Sequence, residues 1–269
     1  MGPSLVAAYF PAVEQRGKVL GWGSTVGNLA GIALSMSVGY LVAVSVRLFW
    51  LVNLIMLLPL AAAILMPEPE ATTAGTAPQQ CPRQSAQIPR QTWFFILLFP
   101  LALVFYWPFV LNLSHLVAEI GGTPIQTGYA FTLSTAGGIL YGLFFGRIYK
   151  RLGQRTLSLA CASIFFLFVI CAFTQQLWLL YLGVFVGGFT MYAVFVDLGI
   201  TSTAPPAARV RAVGINMALA NVAIFASGWL HPWVGNLLGQ QENVRFLFYP
   251  GIVFFAACTV WFVVRPRTA

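Results

Sequence analysis

The chain has 269 residues, of which 59% are hydrophobic and only 7% charged. A water-soluble domain carries about a quarter of its residues as charges, so a soluble fold is excluded, and lipid is the solvent that tolerates this much apolar surface. The net charge of +8 would suit nucleic acid, but the basic residues stand in short clusters between apolar runs, which is the pattern of loops held on the cytoplasmic side of a membrane.

In chain order, Met1–Phe10 is apolar but too short to cross a bilayer. It has neither a basic leader nor a cleavage-like site. Eight full spans are then predicted: Val19–Val44, Leu48–Met66, Trp93–Val117, Ile125–Ile148, Thr156–Thr174, Leu177–Leu198, Ala212–Asn236 and Phe246–Val264. The expected fold is an all-α membrane protein, eight transmembrane helices with a partial one before them. Between the second and third spans, Pro67–Gln91 is rich in Pro, Ala, Thr and Gln and has no apolar period, so it reads as a flexible linker. It separates a first part, residues 1–66, from a six-span second part, residues 92–269. With the loop around Arg16 on the cytoplasmic side, twelve of the 14 basic residues fall on that side, as does the C-terminus, and only Arg47 and Arg245 fall outside.

Little in the chain points to catalysis or metal binding. Cys161, Cys171 and Cys258 lie in apolar spans and Cys81 in the linker, with no metal-type pair among them. His115 and His231 are each single, near predicted outer ends, so neither a metal site nor a cofactor is expected. Glu119 and Asp197 sit near span ends, where a carboxylate is ordinarily solvated or capping. No HExxH motif and no paired membrane aspartates are present.

One internal repeat stands out. Arg16, Lys18, Gly21 and Asn28 return as Arg209, Arg211, Gly214 and Asn221, every pair offset by the same 193 residues. Both copies follow a proline-containing loop and open a long span. A second pattern joins two later spans as Gly146-Arg-Ile-Tyr-Lys150-Arg151-Leu-Gly153-Gln-Arg155. Together these features resemble the major facilitator superfamily of transporters, whose members have two six-helix halves joined by a long cytoplasmic loop. Gly146, Arg151, Gly153 and Arg155 match the family's G-x-x-x-D-R-x-G-R-R loop, while Lys150 stands where the family usually has Asp. The resemblance implies that the spans are helices five to twelve, with Met1–Phe10 as the tail of helix four, and that the chain is a fragment of the twelve-helix plan. It further implies a multi-pass protein of the bacterial cytoplasmic (inner) membrane. Its partners are then the lipid bilayer, a small-molecule solute and a coupling ion, and not nucleic acid.

Under this resemblance, solute binds near the membrane midplane. The candidate cavity residues are Tyr106, Trp107 and Asn112 on one helix and Thr190 and Tyr192 on another, each of which could instead serve helix packing. Asn216 and Asn221 are expected to make interhelical hydrogen bonds. Pro100 and Pro108 invite a kink. The glycine-rich runs Gly21–Gly39 and Gly137–Gly146 are expected to pack helices closely. Three functions stay open: a solute transporter, a membrane-embedded enzyme, and a non-transporting remnant of a transporter.

Overall fold

The structure is a computed structural model that describes residues 6, 12–44, 87–240 and 243–264, without the side chains of 33–44. The expected span Leu48–Met66, the linker up to residue 86, Met1–Phe10 apart from Val6, and Arg47, Cys81, Arg83, Arg265 and Arg267 lie outside the described residues.

Eight α-helices follow in order: α1 (Val13–Val44), α2 (Arg90–Glu119), α3 (Pro124–Leu152), α4 (Arg155–Phe173), α5 (Leu177–Val186), α6 (Thr190–Thr203), α7 (Arg209–Leu237) and α8 (Tyr249–Val264). Short 3₁₀ turns at Pro206–Ala208 and Val244–Phe248 lead into α7 and α8. Among the described residues, five segments are long and apolar enough to cross a membrane: α2, α4, α5 with α6, α7 with its leading turn, and α8 with its leading turn. The helices α1 and α3 have the length, at 32 and 29 residues, but carry many Gly, Thr and Ser and a basic end.

The helices overrun the predicted spans at the basic end for local reasons. α1 starts at Val13 rather than Val19 because its first turn sits in water and carries Glu14, which complements the helix dipole. α2 starts at Arg90, directly after Pro89 in extended geometry. At the other end, Thr123 and Gln126 close a capping box on α3 with Pro124 in its first turn. α3 runs to Leu152, with Lys150 and Arg151 in its last turn, and stops at Gly153, whose φ of +54° suits glycine.

The predicted single span Leu177–Leu198 is broken. α5 ends at Val186 and α6 begins at Thr190. Gly187 and Gly188 fill the gap because no side chain fits there: a Cβ on Gly187 would run into Leu167 of α4, and one on Gly188 would come within 3.2 Å of Tyr141 of α3. The Val186 carbonyl left at the break accepts a hydrogen bond from the Tyr141 hydroxyl.

α4 is the most enclosed of the spanning helices. Its Phe168 packs on Phe255 and Phe248 of the last segment and meets the edge of Tyr106 on α2. α1 lies antiparallel against α3. Gly17 abuts Phe145, Gly21 abuts Gly142, Asn28 abuts Gly138 and Gly31 abuts Thr135. Gly138, Gly142 and Gly146 recur every four residues, so one face of α3 is stripped to backbone. Thr25 of α1 donates across this seam to the Ile139 carbonyl at 3.3 Å.

A methyl group at Gly21 would overlap the Gly142 carbonyl. Gly21→Ala is therefore expected to cost about 1–3 kcal/mol, the usual range for overpacking. Gly214→Ala, at the repeat-related site where nothing lies within 4 Å, is expected to be neutral or stabilising by about 0.5–1 kcal/mol. Thermal unfolding of both variants in detergent checks the contrast.

Candidate functional site

Pro108 interrupts the hydrogen-bond ladder of α2. Proline has no N–H, so the carbonyl four residues earlier, on Val104, loses its helical partner. Two side chains of α7 take its place. Ser227 Oγ donates to Val104 O at 2.9 Å, and His231 Nε2 sits 2.9 Å from the same oxygen. A carbonyl only accepts, so Nε2 carries the proton. Both side chains are buried, and they lie one helical turn apart. Asn112, one turn beyond the proline, returns its amide to the Pro108 carbonyl at 2.9 Å.

Around the α5–α6 break, four of the five candidate residues come together. Phe189 is the hub: its ring lies 4.4 Å from that of Tyr106 and 5.2 Å from that of Tyr192. Trp107 packs where α2 meets α7, against Leu103, Ala220 and Ala223, the small cluster that Phe189 also touches. The Tyr192 hydroxyl is occupied, donating to the Leu98 carbonyl of α2 at 2.9 Å. Thr190, the first residue of α6, accepts from Asn28 Nδ2 at 3.2 Å. Gly138 makes room for that bond, since a Cβ there would lie 2.5 Å from Thr190 Oγ1 and 2.9 Å from Asn28 Nδ2. Asn112 is the candidate set apart from this group, half-buried and bonded within its own helix.

The two copies of the repeat converge on one place, the C-terminal end of α6. Arg16 is buried and donates from Nη1 to Thr201 O at 3.0 Å, while Arg209 Nε donates to Ala204 O at 3.2 Å. Cations belong at a helix C-terminus. Both guanidinium groups thus gather at the same helix end. Lys18 and Arg211, their companions in the repeat, are exposed. The asparagines differ. Asn28 bonds across helices, whereas Asn221 is exposed and bonds to Met217 of its own helix, and Asn216 is buried with both amide atoms unpaired. Among the described residues, neither Asn216 nor Asn221 forms the expected interhelical bond.

In the loop between α3 and α4, Lys150 reaches Glu14 of α1 at 3.3 Å. The reversed charge at position 150 thus has an acidic partner. Both side chains are well exposed, so the pair is worth about 0–1 kcal/mol. At the opposite end, Arg245 pairs with Glu119 at 2.6 Å and donates to Ala172 O at the end of α4. Asp197 lies on α6, six residues before its end, without an ion-pair partner among the described residues. The described residues contain no group of three metal-binding side chains.

Residues 92–269 match the model of the Major Facilitator Superfamily, about two thirds of the chain. The chain belongs to this superfamily. A comparison with curated proteins returns no match. The superfamily is one of membrane transporters, and the chain is accordingly a multi-pass membrane protein of facilitator type. Within the matched region lie the helix break, the Val104 carbonyl with its two partners, and the Gly146–Arg155 loop.

Replacing both Ser227 (by Ala) and His231 (by Leu) leaves the Val104 carbonyl bare in an apolar setting, at an expected cost of about 1–3 kcal/mol. Ser227→Ala alone is expected to cost less, because His231 remains. In a Pro108→Ala background the backbone can supply the missing N–H, and the double replacement is expected to be milder. Unfolding in detergent of the corresponding mutant cycle measures this coupling.

Proposed function

We propose that the chain takes part in moving a small organic solute across the membrane by alternating access, with the basic end facing the cytoplasm of a bacterial cell. The observation that carries this reading is the helix break at Gly187–Gly188, deep in a spanning segment and ringed by Tyr106, Trp107, Thr190 and Tyr192. Transporters commonly build their sites where a membrane helix is interrupted near the midplane. Aromatic rings with polar tips suit sugars and other flat or hydroxylated solutes. The Asn28–Thr190 bond joins α1 to α6 beside that break, so a movement of α1 against the matched region strains the same point.

The coupling ion we assign is the proton, carried by Asp197. A carboxylate inside a spanning helix, with no ion-pair partner among the described residues, is costly to keep ionised, which makes it suited to taking up and releasing a proton.

Uptake into proteoliposomes, screened over sugars, amino acids and aromatic solutes, tests both points. Tyr106→Ala and Trp107→Ala are each expected to lower uptake of the transported solute about tenfold, equivalent to ~1.4 kcal/mol. Asp197→Asn is expected to abolish uptake driven by a proton gradient while leaving solute exchange intact. Unchanged uptake of every solute in both aromatic variants contradicts the site. Gradient-driven uptake that survives Asp197→Asn contradicts the proton assignment. A chain that transports none of the solutes supports the non-transporting reading instead.

A further inference from the structure

A cleft of about 1590 Å³ opens at the basic end, between the start of α2, the α3–α4 turn, the end of α6 and the end of α8. It lies away from the aromatic group around Phe189 and exceeds the roughly 300–1,000 Å³ of an ordinary small-molecule site. Its rim carries Arg90, Lys150, Arg151 and Arg155, and no acid lines it among the described residues. Lys150 is engaged by Glu14, but Arg90, Arg151 and Arg155 form no ion pair among the described residues and are exposed.

The walls below this rim are apolar. Trp93 and Leu97 of α2 and Val263 and Val264 of α8 line the cleft and are exposed, Leu97 at 55% and Val264 at 72%. Phe94 and Phe262 meet edge-on at 6.3 Å and close the gap between the two helices. Arg90 to Leu97 is seven residues, so the groove descends about 10 Å along α2 from charge to hydrocarbon. Gln91 and Gln154 also line the cleft.

We infer that this cleft is a binding site for an anionic phospholipid. The headgroup phosphate sits among Arg90, Arg151 and Arg155, and the acyl chains run down the Trp93, Leu97 and Val264 walls. Three unpaired cations above exposed apolar walls, at one end of a membrane bundle, need a partner that is anionic at one end and hydrocarbon at the other. Basic pockets between helices on the cytoplasmic side take acidic headgroups in this way. A soluble anion would satisfy the rim and leave the walls bare, and an uncharged lipid would do the reverse.

The test is lipid binding to the full chain in uncharged detergent, followed by native mass spectrometry. The probes are phosphatidylglycerol and phosphatidylcholine of identical chains, with inorganic phosphate as a competitor. Phosphatidylglycerol is expected to bind at least about tenfold more tightly than phosphatidylcholine, with roughly fivefold lost for each arginine changed to Gln among Arg90, Arg151 and Arg155. The triple Arg→Lys variant, which keeps the charges, is expected to retain the preference. Arg147→Gln removes one exposed charge from the same end but outside the cleft, and is expected to leave the preference unchanged. Equal binding of the two lipids overturns the proposal. So does a preference that survives the triple Gln variant, or a loss in Arg147→Gln as large as in Arg151→Gln. Displacement of phosphatidylglycerol by millimolar phosphate identifies a soluble-anion site and also overturns it.

Discussion

A backbone carbonyl that loses its helical partner inside a membrane has no water to turn to. That constraint organises this bundle. At several interruptions and ends among the described helices, a side chain from a neighbouring element supplies the missing donor. Ser227 and His231 serve Val104 beside Pro108, and Tyr141 serves Val186 at the α5–α6 break. Arg16 and Arg209 serve the end of α6, and Arg245 serves the end of α4. Each of these bonds joins two elements, so the places where helices are imperfect are also the places where they are tied together. Polar groups act here as fasteners, and packing of apolar side chains fills the space between.

The glycine seam between α1 and α3 works by the complementary route. Stripping Gly138, Gly142 and Gly146 to backbone brings α1 close enough for Asn28 to reach Thr190 on α6 and for Glu14 to reach Lys150. The seam thereby links the helix break to the charged loop at the basic end. An element with a small-residue face can slide or tilt without having to re-intercalate large side chains, which suits a part that moves in a transport cycle. The exposed Glu14–Lys150 pair is weak, worth about 0–1 kcal/mol.

Much of this was legible in the sequence, and the rest was hidden for identifiable reasons. The described helices fall on the predicted apolar runs because lipid demands long uninterrupted stretches, and the clustering of Arg and Lys at one end follows from the loops. The glycine-rich run ending at Gly146 was expected to pack helices closely, and Gly138, Gly142 and Gly146 do abut α1. The break at Gly187–Gly188 was invisible because apolar residues continue on both sides of it. The partners of Val104 were invisible because they lie more than 120 residues away, and Pro108 announces a bare carbonyl without saying which helix will face it. The repeat singled out Arg16 and Arg209, but their meeting on the end of α6 depends on tertiary arrangement. The repeat also suggested that Asn28 and Asn221 are alike. They are not, because one faces a neighbouring helix and the other an open surface.

The tie that matters most is the pair of hydrogen bonds from α7 side chains to the carbonyl that Pro108 exposes. Isotope-edited infrared spectroscopy of a labelled Val104 carbonyl reads this directly. A carbonyl accepting from both Ser227 and His231 absorbs at lowered frequency. Replacing both donors is predicted to move the band upward toward that of an unbonded amide. A band that keeps its position when both side chains are gone would contradict the account.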